Sequence, residues 1–182
     1  MTAVSAEAPK YTRAAVALHW LVAIMILGMI ALGLYLRFFV PRDTPPRTWW
    51  TNLHKSLGII VACFIFARLA WRLRHRPPPL PRTVPQWQVI GARWSHTLLY
   101  VCMVVQPVSG YVASNFSKWG IKFFNHWHLP PWGWESHTIY TILNDIHIIN
   151  GWLLLALIAI HVAAALMHAG MRDRVFERML LS

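Results

Sequence analysis

Residues 146–171 read IHIINGWLLLALIAIHVAAALMHAGM. The stretch holds no Asp, Glu, Lys or Arg, and it exceeds the ~20 residues that a helix needs to cross the hydrocarbon core of a bilayer. It reads as a membrane-spanning helix, and three more stretches join it. Ala14 to Leu36 and Trp94 to Ser117 are equally free of charge. Trp50 to Trp71 carries Lys55 near one end and Arg68 near the other, with an uncharged interior from Ser56 to Ala67. The expected fold is therefore all-α, an integral membrane four-helix bundle. Its spans are about 14–36, 50–71, 94–115 and 146–169, in one domain over 13–182 behind a short cytoplasmic tail, 1–12.

The bulk composition agrees. Hydrophobic residues make up 57% and charged residues 13%, against ~25% charged in soluble chains. The eleven Trp suit the membrane–water boundary, where the ring is buried and its N–H stays wet. The first apolar stretch follows Lys10 and Arg13 as a cleaved signal would. It is too long for a signal's apolar region and lacks a small-residue cleavage site, so it reads as a retained helix.

The net charge of +11 does not indicate nucleic acid, because the cations flank apolar spans and form no separate basic domain. They set topology instead. Lys10, Arg13, Arg72, Arg74, Arg76, Arg82, Arg93, Arg172, Arg174 and Arg178 fall on one side, and Arg37, Arg42, Arg47, Lys55, Lys118 and Lys122 on the other. The richer side is the cytoplasmic one, which places both termini in the cytoplasm.

Pro41, Pro45 and Pro46 mark a turn between the first two helices, and Pro77-Pro78-Pro79 ends the second ahead of an extended linker reaching Gln86. Pro107 and Gly110 predict a kink in the third helix. Residues 115–145, rich in Trp and Phe, are expected to lie along the outer membrane surface. Cys63 and Cys102 both fall inside apolar spans and read as buried thiols. The absence of CxxCH rules out covalent c-type haem attachment.

Ionisable residues inside spans are costly and mark function. His147 and His161 are 14 positions apart, which is ~21 Å along a helix axis and within about 40° of the same direction. Both imidazoles thus face one way, one near each membrane surface, as two stacked haems would require. His54 opens the second helix level with His147, and His19 lies in the inner half of the first, nearer the level of His161. The expected ligand pairs are His54 with His147 for an outer haem and His19 with His161 for an inner one. Two imidazoles per iron suit electron transfer. Arg68, on nearly the same face as His54 but at the inner level, is a candidate partner for a haem propionate or a quinone. Gly58 would leave room for a flat macrocycle, or simply for helix packing. His168, seven positions past His161, is a candidate quinone contact. His96 remains a rival inner ligand or second quinone contact. His126 and His128, in an HxH, read as surface residues with metal binding the lesser alternative; His75 and His137 read as surface residues.

The order and spacing of these segments also resemble a known family. They are His19-Trp20, Phe38 to Asp43, His54 with Gly58 and Arg68, Pro107 with Gly110, and His147 with His161 trailed by Ala163-Ala164-Ala165-Leu166 and His168. From Tyr11 to Leu180 the chain is similar to the bacterial cytochrome b561 family, four-helix di-haem type, in which superoxide oxidase falls. The resemblance implies two haem b groups held at His19, His54, His147 and His161, with ubiquinone near the inner haem beside His168. It implies residence in the bacterial inner membrane, oxidation of superoxide on the periplasmic side and reduction of ubiquinone. The alternative is a non-catalytic cytochrome b subunit that relays electrons between quinone and a hydrogenase or dehydrogenase partner. The outer loop, Phe116 to Tyr140, matches the family poorly.

Overall fold

The computed structural model describes residues 11–75, 77–79, 81, 84–171, 173 and 175–180. Lys10, Arg76, Arg82, Arg172, Arg174 and most of the expected 1–12 tail lie outside these described residues. Four long helices dominate: α1 (Arg13–Phe38), α2 (Pro45–Arg74), α3 (Gln86–Asn115) and α4 (His137–Met171). All four are long and apolar enough to cross a membrane. Many of their bulky side chains face outward; Ile24, Ile149, Ile160 and Leu166 are each more than 60% exposed. In water such a surface would be a defect, whereas in lipid it is the solvent-facing side.

The helix ends extend past the apolar stretches for local reasons. Thr12 caps α1, its Oγ1 accepting from the Ala15 N–H at 3.2 Å. Pro45 and Pro46, expected in the turn, form the first helical positions of α2, where a missing N–H costs nothing. Pro85 stands one position earlier, as the N-cap of α3. The turn after α1 is tied by Arg47, whose Nη1 donates to the carbonyls of Leu36 at 2.6 Å and Val40 at 2.7 Å. The Leu36 carbonyl is in the last turn of α1 and the Val40 carbonyl just beyond its C-cap, so the cation satisfies an acceptor that the helix leaves over and ties down the turn that follows.

α1 packs on α2, α2 on α3, and α3 on α4. The buried core takes residues from all four: Val22 and Ile26, Val61 and Ile65, Leu99, Cys102 and Met103, and Leu154. By position these lie mid-span. Val61 and Ile65 fall between His54 and Arg68, and Leu154 falls midway between His147 and His161. An apolar layer thus separates two polar levels at opposite ends of the bundle; the end of His54 and His147 is called outer, and that of His19 and His161 inner, after the orientation expected from the charges.

The segment between α3 and α4, expected along the outer membrane surface, has secondary structure of its own. It contains an antiparallel hairpin, β1 (Ile121–Phe123) paired with β2 (Trp127–Leu129). Its tip and its base are both fastened to the outer end of α2. The Phe124 N–H donates to Ser56 Oγ at 2.8 Å, Asn52 Nδ2 to Asn125 Oδ1 at 3.0 Å, and Lys55 Nζ to the Gly120 carbonyl at 2.8 Å. Phe124 and Asn125 both take positive φ, 46° and 61°. Asn tolerates this conformation but Phe is strained in it, and the bonds of Phe124 and Asn125 to α2 hold the tip in place. Ser56 is fully buried, so Ser56→Ala leaves the Phe124 N–H without its acceptor. The expected cost is about 1–3 kcal/mol, read as a lower Tm in detergent, with the hairpin becoming the first site of proteolytic cleavage.

Candidate functional site

Two clusters of histidine form at opposite ends of the bundle. At the outer end, His54 of α2 and His147 of α4 face each other with ring centroids 6.2 Å apart and planes at 83°. His54 is held beside Gly33 of α1, where an added Cβ would lie 3.6 Å from Cε1. Its Nδ1 is buried with no hydrogen-bond partner among the described residues. A buried imidazole nitrogen without a partner calls for an explanation.

His147 is fixed more tightly. Its Nδ1 lies 2.8 Å from the backbone carbonyl of Gln106 on α3. A carbonyl only accepts, so Nδ1 carries the hydrogen and Nε2 keeps its lone pair. The approach depends on Gly110, where a Cβ would lie 2.8 Å from Nδ1 and 2.9 Å from Cε1. The sequence motif of Pro107 and Gly110 therefore has a second meaning: Gly110 is a notch that admits the imidazole. Gly58, in contrast, faces Met29 of α1 at an ordinary 3.6 Å contact, which is the helix-packing reading.

At the inner end, His19 of α1, His161 of α4 and His96 of α3 converge. The His19–His161 centroids are 6.3 Å apart and the His96–His161 centroids 5.3 Å. Arg68 points into this cluster, with Nη2 2.7 Å from His19 Nδ1. Its guanidinium and that of Arg72 both lie 5.3 Å from the Tyr100 ring centre, a cation–π arrangement. The sequence placed Arg68 at this level, and the structure brings it there; the Tyr100 and Arg72 contacts were not foreseen.

His168 is drawn to Asp173, its Nδ1 hydrogen-bonded to Oδ2. Asp173 Oδ1 also accepts from the Val175 N–H at 3.0 Å. The chain then turns through a short 3-10 segment, Phe176–Met179, and the Met179 carbonyl accepts from Trp20 Nε1 at 2.7 Å. This closes the C-terminal turn against α1. Asp173 was not singled out from sequence, although it is the one acid close behind His168. The remaining histidines stay at the surface. His75 stacks on Trp71 with centroids 4.0 Å apart, and His126, His128 and His137 are exposed. Among the described residues no group of three or more His, Cys, Asp or Glu forms a metal cluster.

A polar chain at the outer level was also missed. Asn150 Nδ2 donates to the Cys102 carbonyl at 2.9 Å and to Gln106 Oε1 at 2.6 Å, and Gln106 Nε2 lies 3.1 Å from His147 Nε2. The signal was present: Gln106 and Asn150 are amides inside apolar spans, where polar side chains are rare without a role.

Comparison with known proteins agrees with this architecture. The family model for prokaryotic cytochrome b561 matches residues 10–181. The chain is 30% identical over 176 residues to cytochrome b561 homolog 2 of Escherichia coli K12, covering 94% of this chain and 91% of that one. It is 25% identical to cytochrome b561 homolog 1 of the same organism, covering 94% and 97%. It is also 25% identical over 175 residues to the probable superoxide oxidase CybB of Yersinia pestis, covering 94% and 96%. Two histidine levels in a bundle of four apolar helices are what a membrane cytochrome b needs, and the chain belongs to the prokaryotic cytochrome b561 family. It is accordingly a membrane electron-transfer protein of the oxidoreductase type, and a cytochrome b implies haem b. Its four apolar helices and prokaryotic family indicate the inner membrane.

Two outcomes follow from this geometry. Gly110→Ala drives a Cβ into His147 and should cost about 1–3 kcal/mol, lowering Tm in detergent; Gly91→Ala, with nothing within 4 Å, should not. The second concerns acid. Burial raises the Asp173 pKa, but the His168 and Val175 hydrogen bonds outweigh it, so the carboxyl titrates below its usual range. A depressed carboxyl stabilises the fold above its unfolded value near ~4 and loses that contribution as pH falls through the folded one. Attachment of the C-terminal turn should therefore loosen below about pH 4. Asp173→Asn should weaken that pH dependence, as followed by hydrogen exchange of residues 175–180.

Proposed function

We propose that this chain carries electrons across the inner membrane from superoxide on the periplasmic side to ubiquinone on the cytoplasmic side. It would do so with two b haems held by His54 with His147 and by His19 with His161. The observation that carries the ligand assignment is the ring spacing. Two metal–imidazole bonds of about 2 Å each, together with the two half-rings, put opposed centroids about 6 Å apart. The separations of 6.2 Å and 6.3 Å match this, while His96 at 5.3 Å is too close to His161 to admit a metal between them. Haem would supply one-electron chemistry there, and His54 with His147 and His19 with His161 are the residues that would hold it.

The residues fit unequally at the two levels. At the outer one, the Gln106 carbonyl holds the hydrogen of His147 on Nδ1 and orients the ring, as outer partners of metal-bound histidine do; ligation by Nε2 requires the Gln106 amide, 3.1 Å from that nitrogen, to move off its lone pair. At the inner one, Arg68 is only a donor, so while it bonds His19 Nδ1 the neutral ring carries its hydrogen on Nε2. Ligation by Nε2 requires Arg68 to turn from that nitrogen. A propionate is the anion that would receive the guanidinium, which links the propionate role of Arg68 to the ligand role of His19.

Support for superoxide as donor comes from the name of the Yersinia pestis relative and from the outer surface. Arg37, Arg42, Lys118 and Lys122 are exposed there, whereas Arg47 and Lys55 are engaged with backbone carbonyls. Exposed cations raise the encounter rate of a small anion in a salt-dependent way. Each superoxide gives up one electron and leaves as dioxygen; a quinone takes two electrons and two protons. His168, near the inner end of α4 and bonded to Asp173, is the proposed quinone contact. This orientation puts both termini in the cytoplasm.

The test is the haem content and reduced-minus-oxidised spectrum of the detergent-purified chain, followed by superoxide-driven quinone reduction. Two low-spin b haems are expected, with His54→Ala and His19→Ala each losing one and His96→Ala keeping both. Loss of a haem in His96→Ala would overturn the inner pairing. An isolated chain that binds both haems, ignores superoxide and co-purifies with a hydrogenase or dehydrogenase would point to the relay subunit instead.

A further inference from the structure

We propose that Asp173 makes His168 a proton donor to the quinone, by holding the Nδ1 hydrogen so that the hydrogen the ring offers and gives up is the one on Nε2. The inference rests on the reading of His168 as the quinone contact and adds the positioning residue that decides what that contact can do.

The pair is built where α4 ends. His168 is in the last turn of the helix, and Asp173 lies just beyond its final residue, Met171. The Nδ1 of His168 is bonded to Asp173 Oδ2, and Oδ1 accepts from the Val175 N–H at 3.0 Å. Both carboxylate oxygens are thus engaged, one by the ring and one by the backbone. The turn that follows is fastened to the start of the chain's first helix. Trp20 Nε1 donates to the Met179 carbonyl at 2.7 Å, and the Arg178 guanidinium stands 5.6 Å from the Tyr11 ring centre. The carboxylate therefore sits on an anchored segment. It titrates below its usual range, so it is ionised in neutral water and can only accept. The hydrogen of the bond is on Nδ1, and Nε2 is the nitrogen left for a ligand.

A quinone carbonyl also can only accept. A neutral ring with its hydrogen on Nδ1 would set a lone pair against that oxygen, and no bond would form. The ring therefore meets a quinone only with hydrogen on both nitrogens. Such a cation at the end of an apolar span is costly alone, and Asp173 is the anion that balances it and strengthens the bond. Proton transfer breaks the Nε2–H bond and forms an O–H bond at the carbonyl oxygen, while the electron pair of the broken bond stays on the ring. The two electrons come from two superoxide ions, one at a time, each leaving as dioxygen, and the second proton comes from water. Nε2 then holds a lone pair and accepts from the quinol hydroxyl, so the same nitrogen holds the product. Neither His168 nor Asp173 is fully buried, so water returns the proton to Nε2 once the quinol has left. The Nδ1 hydrogen stays in place throughout, and the ring has no need to turn.

The experiment compares the purified holoprotein with Asp173→Asn. The oxygen of the new amide stays on the Val175 N–H, so its NH2 faces Nδ1, and the ring hydrogen moves to Nε2. Such a ring still donates to a quinone but cannot release its hydrogen without becoming an anion. Equilibrium binding of a short-chain ubiquinone to the oxidised protein should weaken only about fivefold, the difference between a charged and a neutral donor. Reoxidation of the chemically reduced protein by saturating quinone should slow about a hundredfold, as loss of a general acid does. Asp173→Glu, which restores a carboxylate, should recover most of that rate. Nitrogen-15 NMR of the reduced protein should show the His168 hydrogen on Nδ1 in the wild type and on Nε2 in Asp173→Asn. An unchanged rate in Asp173→Asn, affinity and rate that fall by the same factor, or a wild-type Nδ1 without hydrogen would overturn the proposal. A wild-type protein whose quinone affinity is untouched by His168→Ala would refute the contact itself, and the proposal with it.

Discussion

An imidazole carried into hydrocarbon must find a partner for its polar nitrogens, because no water is there to supply one. Much else in this bundle can be traced to that demand. His147 is accommodated because Gly110 lets it reach the Gln106 carbonyl, and His19 because Arg68 extends down the bundle to its Nδ1. His54 keeps one nitrogen unpartnered among the described residues. The helices consequently pack around the rings rather than simply against each other. The glycines at positions 33, 110 and 151 lie where α1, α3 and α4 meet these polar groups.

The two histidine levels stay distinct because of what lies between them. Val22, Ile26, Val61, Ile65, Leu99 and Leu154 fill the middle of the bundle, and an apolar layer of this kind admits no ions or water. Each level can then have its own electrostatics. The outer one is lined by amides of fixed direction, and the inner one by two guanidinium groups around Tyr100. Burial and hydrogen bonding around a haem are what set its potential, so the two levels would offer a haem different surroundings.

The ends of the bundle are closed by contacts that tie sequence-distant segments together. At the outer end, the β-hairpin tip bonds to Asn52, Lys55 and Ser56 around His54's helix. At the inner end, Asp173 engages His168 while Trp20 holds the Met179 carbonyl. The outer closure takes Lys55 out of the set of cations free to attract an anion, and Arg47 is removed by its bonds to the end of α1. The outer positive surface is thus narrower than the sequence count implied.

The sequence by itself determined the four spans, because hydrocarbon excludes charge over a fixed length and the uncharged stretches can be read directly. It also determined that His147 and His161 share a face, since helical periodicity over 14 positions is arithmetic, and by the same argument that Arg68 reaches the inner level. The helix ends were less legible: Pro45 and Pro46 read as a turn, although proline is equally at home in a first helical turn. Only the tertiary structure decided which histidine lies at which distance from His161, because the depth of a residue on one helix says nothing of its lateral distance from another. The hairpin, the Asp173–His168 bond and the Cys102–Asn150–Gln106 chain were hidden for the same reason. Each joins residues on different elements, and a hydrogen bond is a matter of tenths of an ångström that no spacing along a single helix encodes.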